Sequence, residues 1–226
     1  MNGYNSIAID GPSGAGKSSL ARRLARELGY IYVDTGAIYR SVGLAAYRRG
    51  LDTKDESVIA PMLPEIKIEM RYNAEGEQRM FLDGEDVSAD IRLPEISLCA
   101  SNVAAMPAVR AYLLDMQRRM AKTHNVIMDG RDIGTVVLPD AELKIFLTAS
   151  AAARAERRLL ELRAKGVAAD YAEVLRDIEY RDKQDSSRAA APLRAAEGAV
   201  HVDTSSIDFE QSAALLRSIV REKLGV

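Results

Sequence analysis

Cysteine and histidine are scarce in this chain of 226 residues. The only cysteine is Cys99, so no internal disulfide can form. The two histidines, His124 and His201, lie far apart in the sequence and have no neighbours with the spacing of metal ligands. We therefore expect no histidine metal site. We expect the protein to work in a reducing compartment, the cytoplasm.

Long apolar runs and an excess of basic residues are also absent. No segment approaches the ~18 consecutive apolar residues of a membrane-spanning helix, and the first residues lack the pattern of a signal peptide. The formal net charge of −2 leaves no basic surplus to displace counterions from a nucleic acid. We expect a monomer that binds neither membranes nor nucleic acids, and whose partners are small molecules.

The segment SIAIDGPSGAGKSSLARRLARELGY, residues 6–30, contains a phosphate-binding pattern. It fits G-x-x-x-x-G-K-[ST], with an apolar strand before it and leucines at helical spacing after it. Glycines let the backbone turn its N–H groups inward, and the helix N-terminus adds positive charge. Lys17 can reach the β- and γ-phosphates, and Ser18 can bind Mg²⁺, with Ser19 a weaker candidate. The residues predicted to bind a nucleoside triphosphate are Gly11, Pro12, Ser13, Gly14, Ala15, Gly16, Lys17, Ser18 and Ser19.

Short apolar segments alternate with helical patterns along the chain. The apolar segments could be buried on both faces of a sheet, and they are residues 7–9, 30–33, 126–128, 143–147 and 200–202. The helical patterns are residues 18–28, 37–49, 109–123, 151–164, 171–183 and 209–223. Asp170 and Glu173 have capping-box spacing at the start of the fifth helix. This alternation predicts an α/β fold with a parallel sheet.

One segment has the period of an antiparallel strand. Ile66, Ile68 and Met70 alternate with charged residues, and a turn pattern at residues 73–76 leads to a return strand at 79–82. This predicts a small antiparallel sheet between about residues 61 and 94, inserted into the parallel fold. Such an insertion is either a surface decoration or a mobile flap over a second substrate.

The phosphate loop does not by itself distinguish a switch, a motor and a kinase. The tetrapeptide N-K-x-D of guanine-binding switches is absent. Asp129 ends an apolar run and can hold Mg²⁺ or its water, as the acid of a Walker-B strand does. Many arginines occur despite the lack of a basic surplus, and Arg154, Arg157 and Arg158 share one helix face. Phosphoryl transfer between two nucleotides needs cations along the transferring group, so this set favours a kinase.

Three further segments carry a resemblance to a known family. They are DTGAIYR at residues 34–40, DGRDIGT at 129–135 and RDKQDSSR at 181–188. With the phosphate loop, they resemble the bacterial cytidylate kinases. The resemblance implies a P-loop nucleoside-monophosphate-kinase fold with a five-stranded parallel sheet. It also implies a core at residues 1–60 and 95–226, a lid at about 151–170 and an antiparallel insertion at 61–94. The implied reaction converts ATP and CMP or dCMP into ADP and CDP or dCDP, with Mg²⁺.

The resemblance also implies roles for individual residues. It places Thr35, Arg110, Asp132 and Arg188 at the pyrimidine, Ser101, Arg181 and Asp185 near the sugar, and Arg40 and Arg131 on the CMP phosphate. Tyr39 is also expected to bind CMP. Arg154 is expected to bind ATP, and Ser18 to bind Mg²⁺ through ATP. The residues expected to act in catalysis are Lys17, Asp129, Arg131, Arg157 and Arg158.

Neither histidine is suitably placed to serve as a general base. An alcohol acceptor would need such a base, whereas a phosphate monoester has a second pKa near ~6 and is largely ionised at neutral pH. The missing base therefore agrees with a nucleotide acceptor. Two alternatives remain open at this point: a P-loop kinase of another small acceptor, such as another nucleotide or an alcohol like shikimate, and a non-catalytic nucleotide-binding module or switch.

Overall fold

The computed structural model describes residues 3–164 and 166–225 of the chain. Its strands are β1 (Ser6–Asp10), β2 (Ile31–Asp34), β3 (Ile68–Tyr72), β4 (Gln78–Leu82), β5 (Glu85–Asp86), β6 (Val126–Gly130), β7 (Leu143–Thr148) and β8 (Val200–Asp203). Its helices are α1 (Lys17–Leu28), α2 (Thr35–Arg48), α3 (Glu56–Met62), α4 (Pro94–Val103), α5 (Pro107–Thr123), α6 (Ala151–Ala164), α7 (Tyr171–Ser187) and α8 (Phe209–Leu224). A π-helical turn covers Ile133–Val137.

The central sheet is parallel and has the strand order β2-β6-β1-β7-β8. Its strands match the apolar segments of the sequence, so the α/β fold with a five-stranded parallel sheet is confirmed. Helices α3 and α4 were not predicted. The first is short and contains Pro61, and the second begins at Pro94, a residue that breaks helical patterns but is tolerated in a first turn.

Apolar layers cover both faces of this sheet. Along β1, Ile7 and Ile9 face a layer formed with α1 and α8, while Ala8 faces the other layer, formed with α2, α4 and α5. All three side chains are fully buried. This alternation follows from the two-residue period of a strand, and it explains why the segment is apolar throughout.

The antiparallel sheet has the order β3-β4-β5, one strand more than the predicted hairpin. Ile68 pairs with Leu82, and both side chains are buried in the same apolar cluster as Ile38 of α2. Two side chains also bond to the free edge of β2: the Tyr72 hydroxyl donates to the Tyr32 carbonyl at 3.0 Å, and Gln78 bonds to the backbone of the last residue of β2. The insertion is therefore packed into the core.

Candidate active site

The cleft of about 240 Å³ lies where β1, β2 and β6 end, which is the usual ligand site of an open parallel sheet. It brings together most of the residues predicted from the sequence. The predicted residues that line it are Ser13, Gly14, Lys17, Ser18, Thr35, Tyr39, Arg40, Ser101, Arg110, Asp129, Arg131, Asp132, Arg181, Asp185 and Arg188. The phosphate loop and the predicted acceptor residues thus share one cavity.

The backbone of the phosphate loop makes the tight turn that its glycines predict. A side chain at Gly11 would lie 1.9 Å from the Leu147 carbonyl oxygen, and Gly16 has a φ of 87° just before α1. Lys17 is buried, and its Nζ donates to the Pro12 carbonyl at 2.6 Å. Burial, followed by the charge of Arg131, lowers the pKa of Lys17 to about 7. In this structure the lysine is therefore about half protonated near pH 7, and a phosphate bound beside it would favour the protonated, cationic form.

Asp129 lies at the end of β6 and is buried. Its carboxylate accepts hydrogen bonds from the Ser18 hydroxyl at 2.8 Å and from the Tyr32 hydroxyl at 2.7 Å. Burial raises the pKa of Asp129, and the charge of Asp34 adds to this effect. A hydroxyl and a carboxylate oxygen beside a phosphate loop are the hard ligands that suit Mg²⁺, whereas Ser19 is exposed.

Three of the four predicted pyrimidine residues, Arg110, Asp132 and Arg188, form a single charged group. Asp132 forms an ion pair with Arg110 and lies 3.7 Å from Arg188. The Arg110 guanidinium also lies over the Tyr39 ring, 5.6 Å from its centre. Thr35 donates its hydroxyl to the Asp129 carbonyl at 2.7 Å. On one wall of the cleft, the buried carboxylate therefore offers a hydrogen-bond acceptor and the two arginines beside it offer several donors.

The predicted phosphate and sugar residues are also paired with partners in the protein. Arg40 contacts Asp34 at 3.0 Å, and Arg131 contacts Asp185 at 2.6 Å. The Ser101 hydroxyl bonds to Gln184 at 3.2 Å. Burial is the main cause that lowers the pKa of Arg181. Carboxylates thus hold Arg40 and Arg131 in a partly buried space.

Sequence reasoning missed several residues around this cleft. Asp34 caps α2 at the Ala37 amide, and its carboxylate contacts both Arg40 and Arg92. Burial acts to raise the pKa of Asp34, but the two arginines and the Ala37 amide together outweigh it and lower the pKa. Like Asp129, Asp34 ends an apolar strand, so the same signal could have found it. Arg92 lies just beyond the insertion sheet, where the sequence carries no such signal.

The three helix arginines predicted for the lid lie outside the cleft lining. Arg154 is buried, and it donates to the Ser13 and Ala149 carbonyls at 2.9 and 2.8 Å and to both carboxylate oxygens of Asp182. Arg157 donates to backbone carbonyls of the segment after β8. Arg158 is near the surface and pairs with Glu161 at 2.9 Å. Their roles toward ATP stay predictions.

Comparison with known proteins agrees with this geometry. The family model described as cytidylate kinase matches residues 7–222. A protein named cytidylate kinase from Pelotomaculum thermopropionicum is 49% identical over 96% of each chain. Another of that name, from Caldicellulosiruptor bescii, is 51% identical over 91% of this chain and 90% of its own. The chain belongs to the cytidylate kinase family. It is therefore a nucleoside monophosphate kinase, and the family implies ATP as the phosphate donor.

Membership in the cytidylate kinase family confirms the kinase predicted from the motifs and rules out the non-catalytic switch. The crystal structure of an uncharacterised protein from Eubacterium ventriosum shares the fold. Its alignment has a TM-score of 0.51 at 11% identity and covers 96% of this chain and 98% of the other. Within residues 3–164 and 166–225, every helix is too short or too polar to cross a membrane.

Proposed function

We propose that the protein transfers the γ-phosphoryl group of ATP to CMP, and also to dCMP, giving CDP or dCDP. The observation that carries this proposal is the Asp132 carboxylate, set between Arg110 and Arg188 in the cleft that holds the phosphate loop. Cytosine presents an amine donor and a ring acceptor, which match a carboxylate and an arginine. Uracil presents the reverse polarity and would leave buried groups unpaired, at ~1–3 kcal/mol each.

In the proposed mechanism, the protein positions two anions and needs no general base. The acceptor phosphate, with a second pKa near ~6, attacks as an ionised oxygen. Arg40 and Arg131 bind its other oxygens, and Lys17 stabilises the charge on the transferring phosphoryl group. Both arginines contact carboxylates in this structure, so an incoming phosphate competes with Asp34 and Asp185 for the same N–H groups.

We also propose that Mg²⁺ takes part, held by Ser18 and Asp129. The contact between the Ser18 hydroxyl and the Asp129 carboxylate supports this proposal. When bound, the ion would neutralise charge on the β- and γ-phosphates. Ser18 and Asp129 keep their oxygens at the loop, and Tyr32 holds the second carboxylate oxygen.

A panel of acceptors tests the proposed reaction. ATP would be supplied with CMP, dCMP, UMP, AMP, GMP or shikimate, and ADP release would be followed by a coupled assay. We expect CMP and dCMP to be used at least ~10-fold more efficiently than UMP, since one mispaired buried group is worth about that factor. Preference for another acceptor would overturn the assignment to cytidine nucleotides.

Other expectations from the sequence stay predictions. They are the monomeric state, the cytoplasmic location, and the division into a core, an insertion at residues 61–94 and a lid at about 151–170. One feature supports a lid: α6 and α7 share a small apolar cluster of their own, separate from the two layers on the sheet. Sedimentation velocity would test the monomer, and hydrogen exchange with and without ATP and CMP would test lid closure.

A further inference from the structure

Asp132 lies at the N-cap of the π-helical turn Ile133–Val137, but its side chain caps nothing. Aspartate is among the preferred N-cap residues, because its carboxylate accepts from the free N–H groups of the first turn. Here that carboxylate instead contacts Arg110 and Arg188. Some other group must therefore satisfy the amides of the turn.

That group is Asp10, the last residue of β1. One of its carboxylate oxygens accepts from the Ile133 amide and the other from the Gly134 amide, both at 2.7 Å. Its side chain is nearly inaccessible, with the residue 3% exposed. Burial raises the pKa of Asp10 to about 6, and the two amide bonds act against that rise. Above pH 7 the group is a carboxylate that can accept both bonds.

We propose, on the basis of the function proposed above, that Asp10 is a positioning residue for recognition of the base. It caps the turn in place of Asp132 and so leaves the Asp132 carboxylate free for Arg110, Arg188 and the cytosine. Without the acceptor from β1, two buried N–H groups lose their partners. Asp132 stands at the N-cap position of this turn, so its carboxylate would turn toward its own helix to replace the lost acceptor.

Asp10→Asn tests this inference, because it keeps the shape but replaces one acceptor with an NH₂ donor that faces an amide. Kinetics at pH 8 would give kcat and KM for CMP and UMP, and a fluorescent analogue would give ATP affinity. We expect the CMP-to-UMP ratio of kcat/KM to fall about tenfold, mainly through the KM for CMP. ATP affinity should stay within about twofold. Tenfold corresponds to 1.4 kcal/mol, within the range of one mispaired buried group.

The matched control is Asp208→Asn. Asp208 is exposed, caps α8 with one bond from the Gln211 amide and lies outside the cleft lining. Because asparagine is about as good an N-cap as aspartate, this variant should change the melting temperature little and leave the ratio unchanged. If Asp10→Asn does not fold, Asp10→Ser replaces it, since serine is smaller and uncharged and has one side-chain oxygen in place of two.

Two outcomes would overturn the inference. One is an equal loss of efficiency with CMP and UMP, which indicates a merely structural residue. The other is weakened ATP binding at an unchanged ratio, which places the effect in the phosphate loop. A double-mutant cycle adds a second test: in an Asp132→Ala background, Asp10→Asn should no longer change the ratio. If the wild type itself does not prefer CMP, the proposed function fails first, and the two failures are distinguishable.

Discussion

The buried Lys17 should make the stability of the protein depend on pH in a specific window. Its pKa lies at about 7 in the folded protein, against an ordinary 10.5. Between these values the unfolded chain binds a proton that the folded protein does not, so the free energy of unfolding rises with pH. Below pH 7 the folded protein must keep a desolvated cation, and stability is lowest there.

Lys17→Met removes this dependence while keeping an unbranched apolar side chain. Between pH 7.5 and 9.5, linkage allows at most 1.36 kcal/mol per pH unit, so we expect the wild type to gain about 2 kcal/mol relative to the variant. The bond to the Pro12 carbonyl weakens when the amine loses its proton, but this change is already contained in the folded-state pKa and needs no separate allowance. Activity should fall by at least ~100-fold, since the lysine stabilises the transferring charge.

Urea denaturation at several pH values, followed by circular dichroism, measures the effect. Lys67→Met is the control, because that lysine is 72% exposed and should leave the pH dependence unchanged. Parallel curves of the free energy of unfolding for the wild type and Lys17→Met would refute the reasoning. They would mean that the lysine stays protonated in the folded protein throughout this range.

Three further predictions concern the acceptor side. Arg40→Ala and Arg131→Ala should each lower kcat/KM for CMP about 10- to 150-fold, which corresponds to ~1.5–3 kcal/mol, while the ATP affinity measured by titration stays unchanged. A selective loss of ATP affinity would contradict the assignment. Asp132→Ala should lose CMP efficiency more than UMP efficiency, and an unchanged ratio would show that it does not read the base. Gln78→Ala should raise the KM for CMP, because Gln78 bonds to the backbone of Asp34, the partner of Arg40. Tyr72→Phe removes only a bond to the Tyr32 carbonyl and should only lower stability, so equal kinetic effects of the two variants would refute that distinction.

The phosphate loop could be predicted because all its chemistry lies in one contiguous segment. Gly11, Gly16 and Lys17 each fill a backbone or charge requirement that the pattern states directly. The inner strands were predictable for a related reason: every residue of β1 and β6 is buried, and burial on both faces requires apolar runs without polar alternation. These features depend on neighbours in the sequence.

The rest depends on contacts between distant segments. The pairing of Arg40 and Arg92 with Asp34, or of Arg131 with Asp185, is set by which helices meet at the ends of the strands. Arg154 shows the limit most clearly. Its helical spacing predicts a shared face, but tertiary packing buries that side chain against the phosphate-loop backbone.

The carboxylates of the cleft explain how so many cations can be held together. Burial lowers the pKa of Arg40 and of Arg188, so these guanidinium groups are costly to desolvate. Asp34 and Asp132 offset that cost and keep the groups aimed into the cleft. At the two arginines assigned to the acceptor phosphate, Arg40 and Arg131, a phosphate dianion can then take the place of the carboxylate without leaving a buried cation unpaired. Binding of the acceptor phosphate is then an exchange of one anion for another. Its net free energy depends on how far each displaced aspartate can move toward its other partner, which for Asp34 is Arg92.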